Sequence, residues 1–173
     1  MGRTPSLSPH PEPANTGMSG INRTFLVVVD DTEEMGAALE YACRRAKATQ
    51  GRVALLRTVE PAEYRQLAFV GSMLEKAARE EAETLLHRLA ARVKERSGDL
   101  PILYVREGDP KDQLMALIDQ EPGISVLVLA AGSGKDGPGP LVTACATGLI
   151  AKLRVPVTII PAGLSPEDLN RMS

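Results

Sequence analysis

Five short apolar segments, separated by stretches with helical periodicity, constrain the fold of this chain more than any other feature. They occupy residues 25–29, 53–59, 101–105, 125–131 and 157–160. Runs of this length, dominated by valine, leucine and isoleucine, are typical of strands buried on both faces of a parallel sheet. Because strands that alternate with single helices pair in parallel through right-handed crossovers, the helices must cover both faces. The pattern predicts an α/β fold with a doubly wound, five-stranded parallel sheet.

The stretches between these segments carry the signals of amphipathic helices. Thr32 or Asp31 is the predicted N-cap of the first helix, which we expect to end at Gln50 with Gly51 as its stop. Further predicted elements are an irregular stretch at 62–71, helices at 72–96, 111–121 and 141–153, and a capped helical turn that begins at Ser165. The helix at 72–96 is expected to carry an apolar stripe that begins at Leu74.

Length and composition set the domain organisation and exclude several classes of partner. In a chain of 173 residues we expect one domain at 23–161, a disordered leader at 1–22 and a short tail at 162–173. The net charge of -2 and the aromatic content of 3% argue against nucleic acid as a partner. The apolar runs are far shorter than the ~20 residues needed to span a bilayer, so no membrane partner is expected.

The cysteines and histidines indicate neither a metal site nor a recognisable catalytic arrangement. Cys43 lies on an apolar helical stripe, which favours core packing, and its distance in sequence from Cys145 favours a reducing, cytoplasmic setting. His87 has no second ligand at metal-binding spacing, so a structural or exposed role is favoured. With no Ser-His-Asp or Cys-His pattern, the sequence favours a protein without catalysis, and slow ATP hydrolysis is the one activity left open.

A glycine-rich loop after the fourth apolar segment is the main candidate for ligand binding. Residues 132–137 satisfy G-x-G-x-x-G, and glycines let backbone N–H groups converge on a phosphate. The dinucleotide fingerprint belongs in the first strand–helix turn, however, and Walker A fails because Leu129 and Asp136 replace its first glycine and its hydroxyl. Ligands of open sheets bind beyond the carboxyl ends of the strands, so Asp30 and Gly132 would meet if the first and fourth strands are neighbours.

Four parts of the chain together resemble one known family. They read FLVVVDDTEEMGAALEYACRRAKATQGRVALLRTVEP, GDPKDQLMALIDQ, SVLVLAAGSGKDG and RVPVTIIP. Over residues 24–161 the chain resembles a universal stress protein domain of the UspA type, with a first strand that ends in V-x-V-D and a second strand followed by Glu-Pro. The resemblance implies the strand order 3-2-1-4-5 and a homodimer that forms through the last strand, from Val155 to Ile160.

Many members of that family bind ATP through a G-x-x-G-x9-G-[ST] motif, from which this chain departs. Counted from Gly132, the second and third glycines are replaced by Lys135 and Cys145. Counted from Gly134, the third is replaced by Thr147. The motif is therefore degenerate in both registers.

The resemblance nevertheless implies a candidate cofactor site for ATP or AMP. Asp30 would face the adenosine and Thr58 would lie near the base. Lys135 would supply a point charge in place of lost backbone donors, or is simply an exposed loop lysine. The glycines that would surround the phosphates are Gly132, Gly134 and Gly137.

Two functions remain open at this point. The first is a cytoplasmic, non-catalytic homodimer that binds or senses a nucleotide in stress response. The second is a family member that has lost ATP binding and acts as an interaction module for an unidentified protein, because the rigid segment from Pro138 to Pro140 would fill the phosphate site. The shape of the cleft beyond Asp30 and Gly132 is the observation that separates them.

Overall fold

A computed structural model describes residues 23–30, 32, 34–61, 68–135 and 137–172 of the chain. The predicted leader at 1–22, Asp31 as an N-cap, and most of the stretch predicted to be irregular at 62–71 lie outside these residues.

All five predicted strands are present. They are β1 (Thr24–Val28), β2 (Arg52–Val59), β3 (Ile102–Glu107), β4 (Ile124–Ala131) and β5 (Val157–Pro161). Each pairs in parallel with its neighbours, and the sheet has the order β3-β2-β1-β4-β5. This order confirms both the predicted fold class and the strand order that the resemblance implied.

Helices connect the strands and cover both faces of the sheet. They are α1 (Met35–Thr49), α2 (Ala68–Ser97), α3 (Pro110–Gln120), α4 (Pro140–Ala146) and α5 (Pro166–Arg171), with a 3-10 turn at Leu149–Lys152. No helix in the described part of the chain is both long and apolar enough to cross a membrane.

The sheet is buried on both faces because β1 sends alternate side chains into two separate apolar clusters. Phe25 and Val27 pack with α1 and α2 on one face, whereas Leu26 packs with α3 and α4 on the other. Leu26 and Val27 have no exposed surface. Burial of a side chain of this size stabilises the fold by roughly 1.5–3 kcal/mol, so the central strand is held from both sides.

Helix α2 is longer than predicted and its apolar stripe begins later. The stripe was expected to include Leu74, but Leu74 is 46% exposed, and the first buried side chain of the stripe is that of Ala82. The helix has 30 residues and β2 has 8, which correspond to about 45 Å and about 26 Å. The first turns of α2 therefore extend beyond the carboxyl edge of the sheet and have no strand to pack against.

The single helix predicted at 141–153 is wrong, because the chain forms two shorter elements there. Helix α4 ends at Ala146 and the 3-10 turn begins at Leu149. Gly148 between them has a φ of 125°, a conformation that glycine adopts readily and that cannot continue a right-handed helix.

Two helices begin at side-chain caps. The Asp109 carboxylate accepts hydrogen bonds from the backbone N–H groups of Lys111 and Asp112, at 2.9 and 3.1 Å. Ser165 and Asp168 form a reciprocal capping box at the start of α5, which confirms the predicted capped turn.

Arg154 joins three elements at the amino edge of the sheet. Its guanidinium donates to the carbonyl oxygens of Ile124 at 3.1 Å, of Glu121 at 2.7 Å, and of Ile118. Carbonyl groups at the end of α3 have no partner within the helix and carry the negative end of its dipole. Arg154 therefore fastens the segment before β5 to the end of α3 and the start of β4.

The turn between α1 and β2 differs from the prediction by one residue. Gln50, rather than Gly51, takes the left-handed conformation, with a φ of 54°. The Gly51 N–H donates to the carbonyl of Ala46 at 2.8 Å. Gly51 is needed for a different reason, since a Cβ at this position would overlap the carbonyl oxygen of Arg23.

We expect Gly51→Ala to lower the free energy of unfolding by about 1–3 kcal/mol, because the atom in its way belongs to the backbone of the neighbouring segment. Gly36→Ala is the matched control. A Cβ on Gly36 meets nothing within 4 Å, so this substitution should stabilise α1 by about 0.5–1 kcal/mol. Urea unfolding of both variants measures the difference, and equal stability would contradict the close approach at Gly51.

Candidate functional site

The site lies where the strand order reverses, between β1 and β4. The connection from β1 leads to β2 on one side, and the connection from β4 leads to β5 on the other. Connections that diverge in this way leave a crevice beyond the carboxyl ends of the two strands. A cleft of about 350 Å³ occupies this position, and both Asp30 and Gly132 line it. The predicted meeting of these two residues is confirmed.

The floor of the cleft is apolar and its walls carry a few polar groups. Val28, Val29, Leu129 and Ala130 come from the ends of β1 and β4. The polar side chains on the walls are Asp30, Thr32, Arg57 and Thr58. An apolar recess with a small number of placed polar groups is typical of small-molecule sites.

Thr32 fixes the orientation of the Asp30 carboxylate. Oδ1 of Asp30 accepts from the Thr32 backbone N–H at 3.1 Å and from the Thr32 hydroxyl at 2.5 Å. The prediction that Thr32 caps α1 is wrong, because its hydroxyl donates to Asp30, and Glu34 occupies the N-cap position without a side-chain bond. Both bonds to the carboxylate use Oδ1, so Oδ2 is the oxygen left to accept from a ligand.

The end of β2 forms a second wall. The Arg57 guanidinium donates to the carbonyl of Val29 at 3.2 Å, and the half-buried Thr58 lies next to it in the cleft. Arg57, Thr58 and Pro110 also line an adjoining, wider chamber of about 700 Å³ beneath α2. The other charged residues that line this chamber are Glu60, Glu81 and Arg88.

The glycine loop is closed by its own hydrogen bonds. The Gly132 N–H donates to the carbonyl of Pro138 at 3.3 Å, and the Gly137 N–H donates to the carbonyl of Gly134 at 3.1 Å. A Cβ on Gly132 would lie 3.0 Å from the Gly137 carbonyl oxygen, so the two ends of the loop touch. Pro138 and Pro140 line the cleft without filling it.

The residues that the resemblance implied are only partly brought together. Asp30, Thr58, Gly132 and Gly137 line the cleft. Gly134 and Lys135 are exposed and do not belong to its lining. The lining residues that sequence reasoning missed are Thr32, Arg57, Pro110, Leu141 and Val142. The presence of Pro110 could have been predicted from the strand order. Pro110 begins α3 just after the carboxyl end of β3, and in the order 3-2-1-4-5 this helix must cross from β3 towards β1 and β4.

The thiols and the histidine lie away from the cleft. Cys43 is buried in the cluster beneath α1, as predicted, and burial, reinforced by Glu40, raises its pKa to about 11. Burial also raises the pKa of Cys145, so both thiols stay protonated near neutral pH. His87 is exposed. Within the described residues, no group of three or more His, Cys, Asp and Glu side chains could hold a metal ion.

The open parallel sheet with a cleft at the point of strand reversal makes this a doubly wound α/β protein. The family comparison is more specific, because the model of the universal stress protein family matches residues 22–161. The chain belongs to the universal stress protein family, which confirms the resemblance read from the sequence. A comparison with curated protein sequences finds no match.

Solved structures agree with the fold. The universal stress protein UspA from Lactobacillus plantarum is 22% identical, with 80% of this chain and 97% of that chain covered and a TM-score of 0.69. A universal stress protein from Archaeoglobus fulgidus in complex with dAMP is 17% identical, with 81% and 98% covered and a TM-score of 0.59. A universal stress protein in complex with cAMP is 15% identical, with 82% and 98% covered and a TM-score of 0.57.

Because the loop is closed, alanine substitutions at two of its glycines should have different effects on the free energy of unfolding. Gly132→Ala should lower the free energy of unfolding by about 1 kcal/mol, because the new Cβ pushes against the Gly137 carbonyl. Gly134→Ala should change it by less than about 0.5 kcal/mol, because a Cβ there meets nothing within 4 Å. Urea unfolding gives both values. If Gly134→Ala is the more destabilising variant, the loop has a different conformation in solution.

Proposed function

We propose that this universal stress protein binds an adenine nucleotide in the cleft between β1 and β4 and acts as a non-catalytic nucleotide sensor in the cytoplasm during stress. The observation that carries the proposal is the oriented Asp30 carboxylate, which lines an apolar recess at the point of strand reversal. The cleft volume of about 350 Å³ falls within the usual range for small-molecule sites.

The lining suits a nucleoside in particular. A purine is flat and largely apolar, and the floor of valine, leucine and alanine side chains offers a surface on which it can pack. Oδ2 of Asp30 is an acceptor for a ribose hydroxyl, and the Thr58 hydroxyl both donates and accepts. Two family members of the same fold, solved with dAMP and with cAMP, support the choice of an adenine ligand.

The absence of turnover is part of the proposal. Hydrolysis of a nucleotide needs a metal ion, a general base or an activated nucleophile near the phosphates. Asp30 is the one carboxylate among the described residues of the cleft lining, and Thr32 engages it. Both thiols are buried elsewhere, so we expect ligand binding without chemistry.

Calorimetric titration of the full chain with AMP tests the proposal. We expect saturable binding, and Asp30→Asn should weaken it by at least about tenfold, because loss of a charge-assisted hydrogen bond is worth about 1.5–3 kcal/mol. Asp99→Asn, an exposed residue at the opposite edge of the sheet, is the control and should leave the affinity unchanged. No heat at millimolar AMP would show that the protein does not bind this nucleotide.

The second candidate, an interaction module that has lost ATP binding, is favoured by one observation. The glycine loop is closed on itself, so the Gly132 and Gly137 N–H groups are not directed at a phosphate. If the titration shows no binding of any adenine ligand, the surface of the chain, rather than its cleft, would carry the function through a protein partner.

We also propose a homodimer that forms through the segment from Val155 to Ile160. The support is that β5 is the last strand of the sheet and, among the described strands, pairs with β4 alone. Ile159 on this strand is 40% exposed, and Ile150 in the preceding turn is 53% exposed. Unpaired edges and exposed isoleucines are the features that a second copy would cover.

Light scattering after size exclusion tests the dimer. The wild-type chain should elute with twice the chain mass of 18.5 kDa, and Ile159→Lys should reduce it to the monomer mass, because a charge would be buried at the centre of the interface. Leu100→Lys, on an exposed leucine before the opposite edge strand, should remain dimeric. A wild-type monomer, or a dimer that survives Ile159→Lys, would rule out this interface.

A further inference from the structure

We infer that the cleft accepts a nucleoside carrying at most one phosphate, and that the element that rejects a triphosphate is the closed loop, a name used here for the described residues 132–135 and 137–140. The inference rests on the proposed nucleotide binding and specifies the ligand class of the same site. It is carried by the hydrogen bonds of the loop, by the charges around the cleft, and by the adjoining chamber.

Several positions of the closed loop have no backbone N–H group free to bind a phosphate. A phosphate chain is held in such loops by backbone N–H groups that converge on its oxygens. In the closed loop, the N–H groups of Gly132 and Gly137 already donate to the carbonyls of Pro138 and Gly134. Pro138 and Pro140 have no N–H group. These four residues of the wall therefore cannot donate to a phosphate unless the loop opens.

The charges around the cleft also disfavour a triphosphate. Among the described residues of the cleft lining, Arg57 is the one cation, and its guanidinium donates to the carbonyl of Val29. The Asp30 carboxylate in the same cleft balances its charge. Lys135, which was a candidate point charge, is exposed and outside the lining. The cleft therefore has no positive field with which to hold the several negative charges of a triphosphate.

The chamber that adjoins the cleft at Arg57 and Thr58 does not favour a longer phosphate chain either. Its volume of about 700 Å³ would accommodate further phosphates. Arg88 on α2 lines it, but so do Glu60 and Glu81. These two carboxylates offset the two arginines, so a polyphosphate gains nothing by extending there.

Opening the loop has its own energetic cost. The Gly132–Pro138 bond must break, and the proline ring at 138 restricts the backbone rearrangement that would bring N–H groups towards the cleft. Gly137 and Gly139 have φ values of 78° and 97°, which suit the closed conformation. A nucleoside or nucleoside monophosphate can bind without this change, whereas a triphosphate cannot be held without it.

Calorimetric titrations of the full chain with adenosine, AMP and ATP test the inference. We expect AMP to bind at least about tenfold more tightly than ATP, a difference that corresponds to about 1.4 kcal/mol. ATP that binds as tightly as AMP, or more tightly, would overturn the inference and leave the proposed nucleotide binding intact. If none of the three ligands binds, the proposed function itself is wrong and the inference falls with it.

A loop variant identifies the element responsible. Pro138→Gly removes the ring and supplies an N–H group, so the ratio of the ATP and AMP dissociation constants should fall by at least about threefold. Pro122→Gly, in the exposed turn before β4, is the matched control and should keep the wild-type ratio. Circular dichroism checks that both variants fold, and Pro140→Gly replaces Pro138→Gly if the latter does not. An unchanged ratio in the folded loop variant would show that the closed loop does not set the preference.

Discussion

The position of β1 between β2 and β4 is the constraint on which the rest of the structure depends. Leu26 and Val27 are completely buried on opposite faces of this strand, so both faces of the sheet must be covered by helices. The chain completes β2 and β3 on one side of β1 before it returns to form β4 on the other. The connections that leave the carboxyl ends of β1 and β4 therefore run in opposite directions, and neither covers the space between these two ends. The crevice follows from this topology and not from the sequence of any one loop.

The same crevice explains why the glycine loop bonds to itself. Backbone N–H groups beside an apolar recess are costly when they have no acceptor. A loop that binds phosphate obtains its acceptors from the ligand, whereas here the Pro138 carbonyl serves the Gly132 N–H and the Gly134 carbonyl serves the Gly137 N–H. The carbonyl groups of the loop thus occupy the donors that phosphate oxygens would otherwise use. A loop satisfied in this way has little to gain from a polyphosphate.

The sequence predicts correctly those features that depend on residues close together in the chain. It does not predict those that depend on how separate elements pack. The strands follow from uninterrupted apolar runs, and the cap at Asp109 depends on residues within one turn. The exposure of Leu74 depends on the length of α2 relative to β2, and the bonds of Arg154 need three elements to be in place first. The lining of the cleft also depends on packing between distant elements. Thr58 was predicted only through the family resemblance, and Pro110 was missed because it belongs to a helix that is distant in sequence from β1 and β4.

The two edges of the sheet are under different constraints. At the amino edge, Gly51 lies against the Arg23 carbonyl and the Arg154 guanidinium binds three backbone carbonyls, so substitutions there disturb the packing of several elements. At the carboxyl edge, Gly134 and Lys135 are exposed and touch neither apolar cluster. The loop can therefore change at positions 134 and 135 with little effect on the fold. This separation accounts for a chain that matches its family over 22–161 and yet departs from the family pattern in the loop that would hold the phosphates.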